Sequence, residues 1–356
     1  MSPSSPSPDD TSRAAALTTA QTLAAQVTGG DRRGLARAIT LVESTRDDHR
    51  ADAAALLDAL LPSTGRAIRV GISGAPGVGK STFIEAFGLH LLDQGHRVAV
   101  LAVDPSSTRG GGSVLGDKTR MEDLARHPDA YIRPSPSGGA VGGVARRTRE
   151  AMLVCEAAGY DVVLVETVGV GQSETEVDDM VDVFVLLVAP GAGDELQGIK
   201  RGVMELADLV VVTKADGDLL GPARQAAADY RQALHLLRPK HRGWAAAVVL
   251  CSAVEGEGVA DVWNVVDALR QRLADTGELE ARRSSQAKSW FWSEIREQLL
   301  AQLRDDPDRA ARIAELERQV VDGAISPAAA AEVLLDLPAG RFAGRHSHDA
   351  QDQPPG

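Results

Sequence analysis

The chain has 356 residues, enough for one large domain with attached segments or for two domains. Its formal net charge is -12, so the basic surface that nucleic-acid binding requires is not expected. Hydrophobic residues make up 44% of the chain, no apolar run approaches the length of a membrane span, and the two cysteines, Cys155 and Cys251, form no C-x-x-C pattern. These features predict a cytoplasmic protein that binds neither nucleic acid nor a membrane.

Composition changes along the chain predict five segments. Residues 1–12 are rich in Ser, Pro and Asp and are expected to be a disordered leader. Residues 13–62 carry Leu35, Ala38, Ile39 and Val42 at helical spacing, which predicts an N-terminal helical extension. Residues 63–277 form the main domain, residues 278–338 are predicted to be a C-terminal helical arm, and residues 339–356 a flexible tail.

Short β-branched runs alternate with amphipathic stretches throughout the main domain. The runs predicted as strands are residues 68–72, 98–103, 131–133, 162–165, 183–188, 209–212 and 247–250. Several are apolar without alternation, as expected for strands covered on both faces. The sequence therefore predicts the α/β class, with a mostly parallel central sheet flanked by helices and with helical N- and C-terminal extensions.

The strongest chemical motif is a phosphate-binding loop between the first predicted strand and the helical stretch that follows it. Its eight positions match G-x-x-x-x-G-K-S, in which backbone N–H groups turn onto phosphate oxygens. Lys80 is expected to reach the β- and γ-phosphates, and the Ser81 hydroxyl to bind magnesium. The residues assigned to the nucleotide here are Gly74, Ala75, Pro76, Gly77, Val78, Gly79, Lys80, Ser81 and Thr82.

Further carboxylates stand where a magnesium ion bound to phosphates would need them. Glu166 directly follows the predicted strand at residues 162–165 and precedes Gly169. In P-loop proteins a magnesium-binding acid, usually Asp, stands in this place ahead of the glycine that senses the γ-phosphate. Asp104 follows another strand, and Asp117 lies in the Gly-rich segment beyond it. Because magnesium prefers oxygen ligands, Ser81, Asp104, Asp117 and Glu166 are the predicted metal residues.

Two short segments predict selection of guanine. Lys214 and Asp216 lie in Thr-Lys-Ala-Asp, close to the N-K-x-D motif, in which the aspartate accepts two hydrogen bonds from guanine. Thr213 replaces the usual Asn, so the motif does not predict whether the loop-bracing contact of that Asn is made here. Ser252 and Ala253 follow the last predicted strand and match a motif whose backbone contacts guanine O6.

These motifs together resemble the methylmalonyl-CoA mutase-associated GTPases of the MeaB type, once labelled ArgK. The resemblance covers about residues 20 to 335 and includes residues 74–82, 104–107, 115–120, 166–174 and 193–200. It implies a SIMIBI-class P-loop GTPase that hydrolyses GTP with Mg²⁺. It also implies a homodimer joined through the helical arm, and a chaperone that loads and protects the cofactor of adenosylcobalamin-dependent methylmalonyl-CoA mutase.

The same resemblance places a third switch at residues 189–200, where Gln197 and Lys200 become candidates for partner-triggered activation. With Lys80, Asp104 and Glu166 they are the predicted catalytic residues. No arginine finger is identifiable in the sequence, so slow basal turnover is expected.

Two rival functions share the phosphate loop. A GTPase metallochaperone would need Cys or His ligands near the nucleotide. A kinase linked to amino-acid transport, as the ArgK label implied, would need an acceptor pocket. Among minor signals, Glu174, Glu176, Asp178 and Asp179 predict a solvated helix start, and Trp290, Phe291 and Trp292 predict packing within the arm or a dimer seam.

Overall fold

The computed structural model describes residues 19–103, 121–133, 141–167, 173–191, 201–305 and 307–335. Asp104, Asp117, Gly169, Gln197 and Lys200 lie outside these residues, as do the predicted leader and tail. Within the described ranges, no helix is both long enough and apolar enough to span a membrane.

The helices and strands alternate through the middle of the chain. Among the described residues, seven strands are present: β1 (Ile68–Gly74), β2 (Val98–Val103), β3 (Ala130–Arg133), β4 (Val162–Thr167), β5 (Val183–Val188), β6 (Leu209–Val212) and β7 (Ala247–Leu250). The helices up to β5 are α1 (residues 19–28), α2 (Arg32–Val42), α3 (Asp47–Leu60), α4 (Lys80–Asp93), α5 (Glu122–Arg126), α6 (Val141–Ala157) and α7 (Ser173–Asp178). Those after β5 are α8 (Arg201–Leu206), α9 (Leu220–His235), α10 (Val259–Asp275), α11 (Glu278–Asp305), α12 (Pro307–Val321) and α13 (Pro327–Leu335).

All seven strands form one sheet in the order β3-β2-β4-β1-β5-β6-β7. Every neighbouring pair is parallel, which confirms the predicted α/β class. Strand β1 lies in the middle, with β4 on one side and β5 on the other. The loop that leaves β1 is therefore flanked by the ends of β4 and β5.

Helices cover both faces of the sheet, and alternate residues of a strand enter different cores. Leu209 and Val211 of β6 pack into the core that contains Phe83 and Phe87 of α4. Val210 and Val212 of the same strand pack into a second core with Tyr230 of α9. Because both faces are buried, the strand sequences need no polar alternation, which explains the apolar runs.

The N-terminal helices pack beside the β3 edge of the sheet. In α2 the buried residues are Gly34, Leu35, Ala38, Ile39 and Val42, which include the four apolar residues that the sequence places at helical spacing. Asp31 caps the helix by accepting hydrogen bonds from the backbone N–H groups of Arg33 and Gly34. The Arg32 guanidinium donates to the carbonyls of Pro128 (2.8 Å) and Ala130 (2.9 Å). These bonds fix the extension to β3.

The chain divides into two compact units between Gln286 and Ala287, within α11. The second unit consists of the rest of α11 with α12 and α13. In it Leu316 and Ala330 are buried, and the Arg312 guanidinium donates to the Val333 carbonyl at 2.8 Å. This unit also carries the Phe291 and Trp292 rings, which lie 5.7 Å apart and remain about 60% exposed.

The start of α11, which belongs to the first unit, is held there through a buried carboxylate. Asp182, whose side chain is fully buried, accepts from the Arg69 backbone N–H (2.9 Å) and from the Arg283 guanidinium (2.6 Å). Arg283 also donates to the Gly65 and Ala67 carbonyls. One arginine therefore satisfies three acceptors at the start of β1 and β5.

We predict that Arg283→Met lowers the free energy of unfolding by about 3 kcal/mol or more, because it leaves the Asp182 carboxylate buried without its cation. Urea denaturation measures the change. The matched control is Arg231→Met, since Arg231 is exposed and contacts only a backbone carbonyl among its described hydrogen bonds. That control is expected to stay within about 0.5 kcal/mol. Equal losses in the two variants would contradict the role given to Arg283.

Candidate functional site

The predicted phosphate loop connects β1 to α4 across residues 75–79. A Cβ on Gly74 would lie 2.6 Å from the Leu187 carbonyl of β5, so β1 can approach β5 this closely only with glycine there. Gly77 and Gly79 adopt φ of +81° and +98°, in the left-handed region that glycine tolerates. The three glycines explain why the loop can turn back and start α4 at Lys80.

Lys80 lies at the start of α4 with its ammonium over the loop. Its Nζ donates to the carbonyls of Gly74 (2.7 Å) and Ala75 (3.2 Å). Burial lowers the pKa of Lys80, while the carboxylates of Glu166 and Glu174 act in the opposite direction. Lys80, Glu166 and Glu174 therefore lie near enough for their charges to interact.

Glu166 is placed next to the phosphate loop by strand pairing. Its Cα lies opposite Ile72 of β1, and its side chain is largely buried. In the next position of the same register, the Thr167 hydroxyl donates to Ser73 Oγ at 2.9 Å, with both side chains buried. This bond locks the ends of β4 and β1 together just before residues 168–172.

The described part of the predicted magnesium site fits that ion chemically. Ser81 in the first turn of α4 and Glu166 at the end of β4 offer a hydroxyl and a carboxylate, the oxygen donors that magnesium prefers. The negative carboxylates near Lys80 add to a field that favours a cation. The remaining predicted ligands, Asp104 and Asp117, lie outside the described residues.

The segment after β6 braces the phosphate loop from the other side. The Thr213 hydroxyl lies 2.7 Å from the Val78 carbonyl and 3.1 Å from that of Val188, and Thr213 is buried. The neighbouring Lys214 adopts a left-handed φ of +54° and donates from Nζ to the Gly77 carbonyl at 2.8 Å. Threonine at the position of the usual asparagine therefore still contacts the loop.

Asp216 and Ser252 meet although they are 36 residues apart. The Ser252 hydroxyl donates to Asp216 Oδ2 at 2.5 Å and accepts from the Glu255 backbone N–H at 3.2 Å. The Ala215 backbone N–H donates to the Cys251 carbonyl at 3.2 Å, which joins the two segments a second time. The sequence motif predicted a backbone role for Ser252, and its side-chain role in fixing the carboxylate was missed.

The acidic helix α7 differs from the prediction. Glu174 and Asp178 are buried, at 4% and 8% exposure, so the expectation of a solvated helix start is wrong for these two residues. Asp178 is held by Lys240 (2.7 Å) and Arg282 (2.8 Å), which lie 62 and 104 residues further along the chain. Hydrophobic periodicity carries no signal for such distant charge pairs.

The two cysteines are poor metal ligands in this fold. Both are free and buried, and burial raises the pKa of the Cys155 thiol well above its usual range and that of Cys251 to about 12. Metals bind the thiolate, which burial disfavours. Among the residues that the structure describes, no group of three or more His, Cys, Asp or Glu side chains could hold a metal ion.

We predict that Thr213→Val lowers the free energy of unfolding by about 1–2 kcal/mol, because it removes a buried hydroxyl bonded to the phosphate loop at nearly constant shape. Nucleotide affinity is expected to fall with it, since Val78 belongs to the loop. Thr213→Ser keeps the hydroxyl and serves as the control. Thermal unfolding and nucleotide titration measure both effects, and a valine variant that behaves like the serine variant would contradict this assignment.

Comparison with known proteins gives consistent results. Residues 35–308 match the family model described as methylmalonyl-CoA mutase-associated GTPase MeaB. A Mycobacterium tuberculosis protein described as a probable GTPase is 56% identical over 88% of this chain and 94% of its own length. The GTPase ArgK of Escherichia coli is 51% identical over 79% of this chain and 85% of its own.

The same architecture occurs in a crystal structure of a LAO/AO transport system kinase. That structure is 41% identical in sequence and superimposes with a TM-score of 0.72, covering 90% of this chain and 97% of the other. The family model covers most of the chain, and the relatives match it over nearly their whole length. The chain therefore belongs to the MeaB family of methylmalonyl-CoA mutase-associated GTPases.

Proposed function

We propose that the protein is a Mg²⁺-dependent GTPase that acts as a chaperone of adenosylcobalamin-dependent methylmalonyl-CoA mutase, loading its cofactor and protecting it. The observation that most supports the GTPase part of this proposal is the hydrogen bond between Ser252 and Asp216, at the same carboxyl edge of the sheet as the loop lysine, Lys80. A phosphate cradle and an oriented carboxylate for the base then belong to one site. Family membership supports methylmalonyl-CoA mutase as the client, and the geometry of the site supports GTP as the nucleotide.

In this proposal the backbone N–H groups of residues 74–82 surround the phosphates at the start of α4, where the helix dipole favours negative charge. Lys80 moves its ammonium from loop carbonyls to the β- and γ-phosphate oxygens. Phosphate charge offsets the burial that lowers the pKa of Lys80, so nucleotide binding favours the protonated amine.

Ser81 and Glu166 would hold the magnesium ion together with Asp104 and Asp117. When bound, the ion neutralises charge on the phosphate oxygens as the γ-phosphate leaves. Gly169 is proposed to sense the γ-phosphate. Gln197 and Lys200 are proposed to complete the site when the mutase binds.

Selection of guanine is assigned to Asp216. One carboxylate accepts from both N1–H and the 2-amino group of guanine, which adenine cannot reproduce. The Ser252 hydroxyl fixes the rotation of that carboxylate in advance, so less ordering is needed when the base binds. Lys214 fixes the same segment to Gly77, and the base and phosphate sites are thus held at a constant separation. Ala253 is proposed to contact guanine O6.

We further propose that the protein is a cytoplasmic homodimer. The second unit presents an edge-to-face pair, Phe291 and Trp292, with about 60% of each side chain exposed. Aromatic side chains of this size are enriched where protein surfaces meet. The pair lies in the segment from residue 278 to 338, proposed as the dimerisation arm.

The test is GTP turnover measured alone and with an adenosylcobalamin-dependent methylmalonyl-CoA mutase. We expect slow basal turnover that rises at least about tenfold with the mutase, because a partner supplies the missing activating group. ATP is the nucleotide control, and Lys80→Ala, which removes the phosphate cation, is expected to abolish activity.

Other results would point elsewhere. Turnover that the mutase does not change would contradict the chaperone role and leave the GTPase. Transfer of labelled γ-phosphate to an acceptor would instead support a kinase, the activity in the name of the structural relative. Stoichiometric tight binding of nickel would support the metallochaperone.

A further inference from the structure

Lys240, which lies between α9 and β7, is bonded to two separate helices at once. Its Nζ donates to Asp178 Oδ1 at 2.7 Å, to the Leu206 carbonyl at 2.9 Å and to Asp208 Oδ2 at 2.9 Å. The side chain is only 17% exposed. An ammonium has three donors, and here all three are engaged.

The acceptors of Lys240 mark the ends of two similar helices. Asp178 is the last residue of α7, which begins directly after residues 168–172. Leu206 is the last residue of α8, which begins directly after residues 192–200. Each helix has six residues and is too short to be stable alone, so tertiary contacts set its position. Lys240 supplies one such contact to both.

The charged groups around Lys240 strengthen its contacts with α7 and α8. Asp208 is completely buried, which would raise its pKa, but His241, whose Nε2 lies 3.0 Å from Asp208 Oδ1, and the charge of Lys240 outweigh burial and hold that pKa below its ordinary value. Arg282 of α11 donates to both Asp178 Oδ1 (2.8 Å) and the Asp178 carbonyl (2.7 Å). Arg282 thus links Asp178 to α11, and Lys240 links Asp178 to α8.

We propose that Lys240 is a positioning residue that couples α7 to α8, so that loss of the γ-phosphate changes both helices together. The proposal rests on the GTP cycle proposed above. The two helices follow the segments that carry Gly169 on one side and Gln197 and Lys200 on the other. The hydrogen bonds from Lys240 to the last residues of α7 and α8 can couple these two segments without passing through the nucleotide.

Arg282 provides the variant that separates coupling from simple stabilisation. Arg282→Met removes a cation from the same Asp178 carboxylate but leaves the link from α7 to α8 intact. Lys240→Met removes that link. Arg231→Met is the surface control, because Arg231 lines the same cavity of about 340 Å³ as Lys240 but donates to the Val248 carbonyl of β7.

The experiment is hydrogen exchange of the full chain with bound GDP and with a non-hydrolysable GTP analogue. In the wild type, amides of residues 173–180 and 201–208 are expected to differ between the two nucleotides. In Lys240→Met the difference at 201–208 is expected to shrink about fivefold or more, while that at 173–180 remains. Arg282→Met and Arg231→Met are expected to keep both differences.

Several outcomes overturn the coupling. A full response at 201–208 in Lys240→Met does so, as does an equal loss in Arg282→Met, or a wild type in which only one helix responds. If Lys240→Met does not fold, Asp178→Ala removes the acceptor on α7 and tests the same link from the other side, with the same expected loss at 201–208. Failure of the wild type to bind or hydrolyse GTP would instead refute the proposed function, so the two failures are distinguishable.

Discussion

A parallel sheet places the carboxyl ends of all its strands at one edge, and the site of this protein depends on that constraint. Gly74 ends β1, Thr167 ends β4, and Thr213 and Cys251 directly follow β6 and β7. These positions span 178 residues of sequence, yet the parallel pairing of the strands puts them along the carboxyl edge of one sheet. Burial of the sheet on both faces holds the edge rigid, which a site built from loops requires.

Close backbone approach then sets the geometry of the loops on that edge. A Cβ on Gly258 would lie 2.0 Å from the Leu250 carbonyl, so only glycine lets the turn after β7 close. The Ser252 backbone N–H donates to the Glu257 carbonyl at 2.9 Å within this turn. Ser252 is thereby aimed at Asp216. Gly74 plays the equivalent part beneath the phosphate loop.

The sequence predicted the sheet and the site edge because their signals are local. All seven strands occur at the predicted runs, and the G-x-x-x-x-G-K-S motif specifies its own turn and helix start. The sequence did not predict the contact of Thr213 with Val78. The threonine side chain is shorter than that of asparagine, so its hydroxyl can replace the amide only where the loop backbone lies close enough. The network of Lys240, Asp178 and Asp208 was missed, because its members are distant in sequence and their pairing depends on the finished fold.

The proposal on which base specificity rests is that Asp216 binds guanine at the same carboxyl edge of the sheet as the phosphate loop. Its most direct test is to measure the dissociation constants of guanosine and xanthosine diphosphate for the wild type and for Asp216→Asn. Asparagine presents an amide donor, which suits the 2-oxo group of xanthine and not the 2-amino group of guanine. We predict that the wild type prefers the guanine nucleotide by about 100-fold or more and that the variant reverses the preference. An unchanged preference for guanine in the variant would show that Asp216 does not select the base.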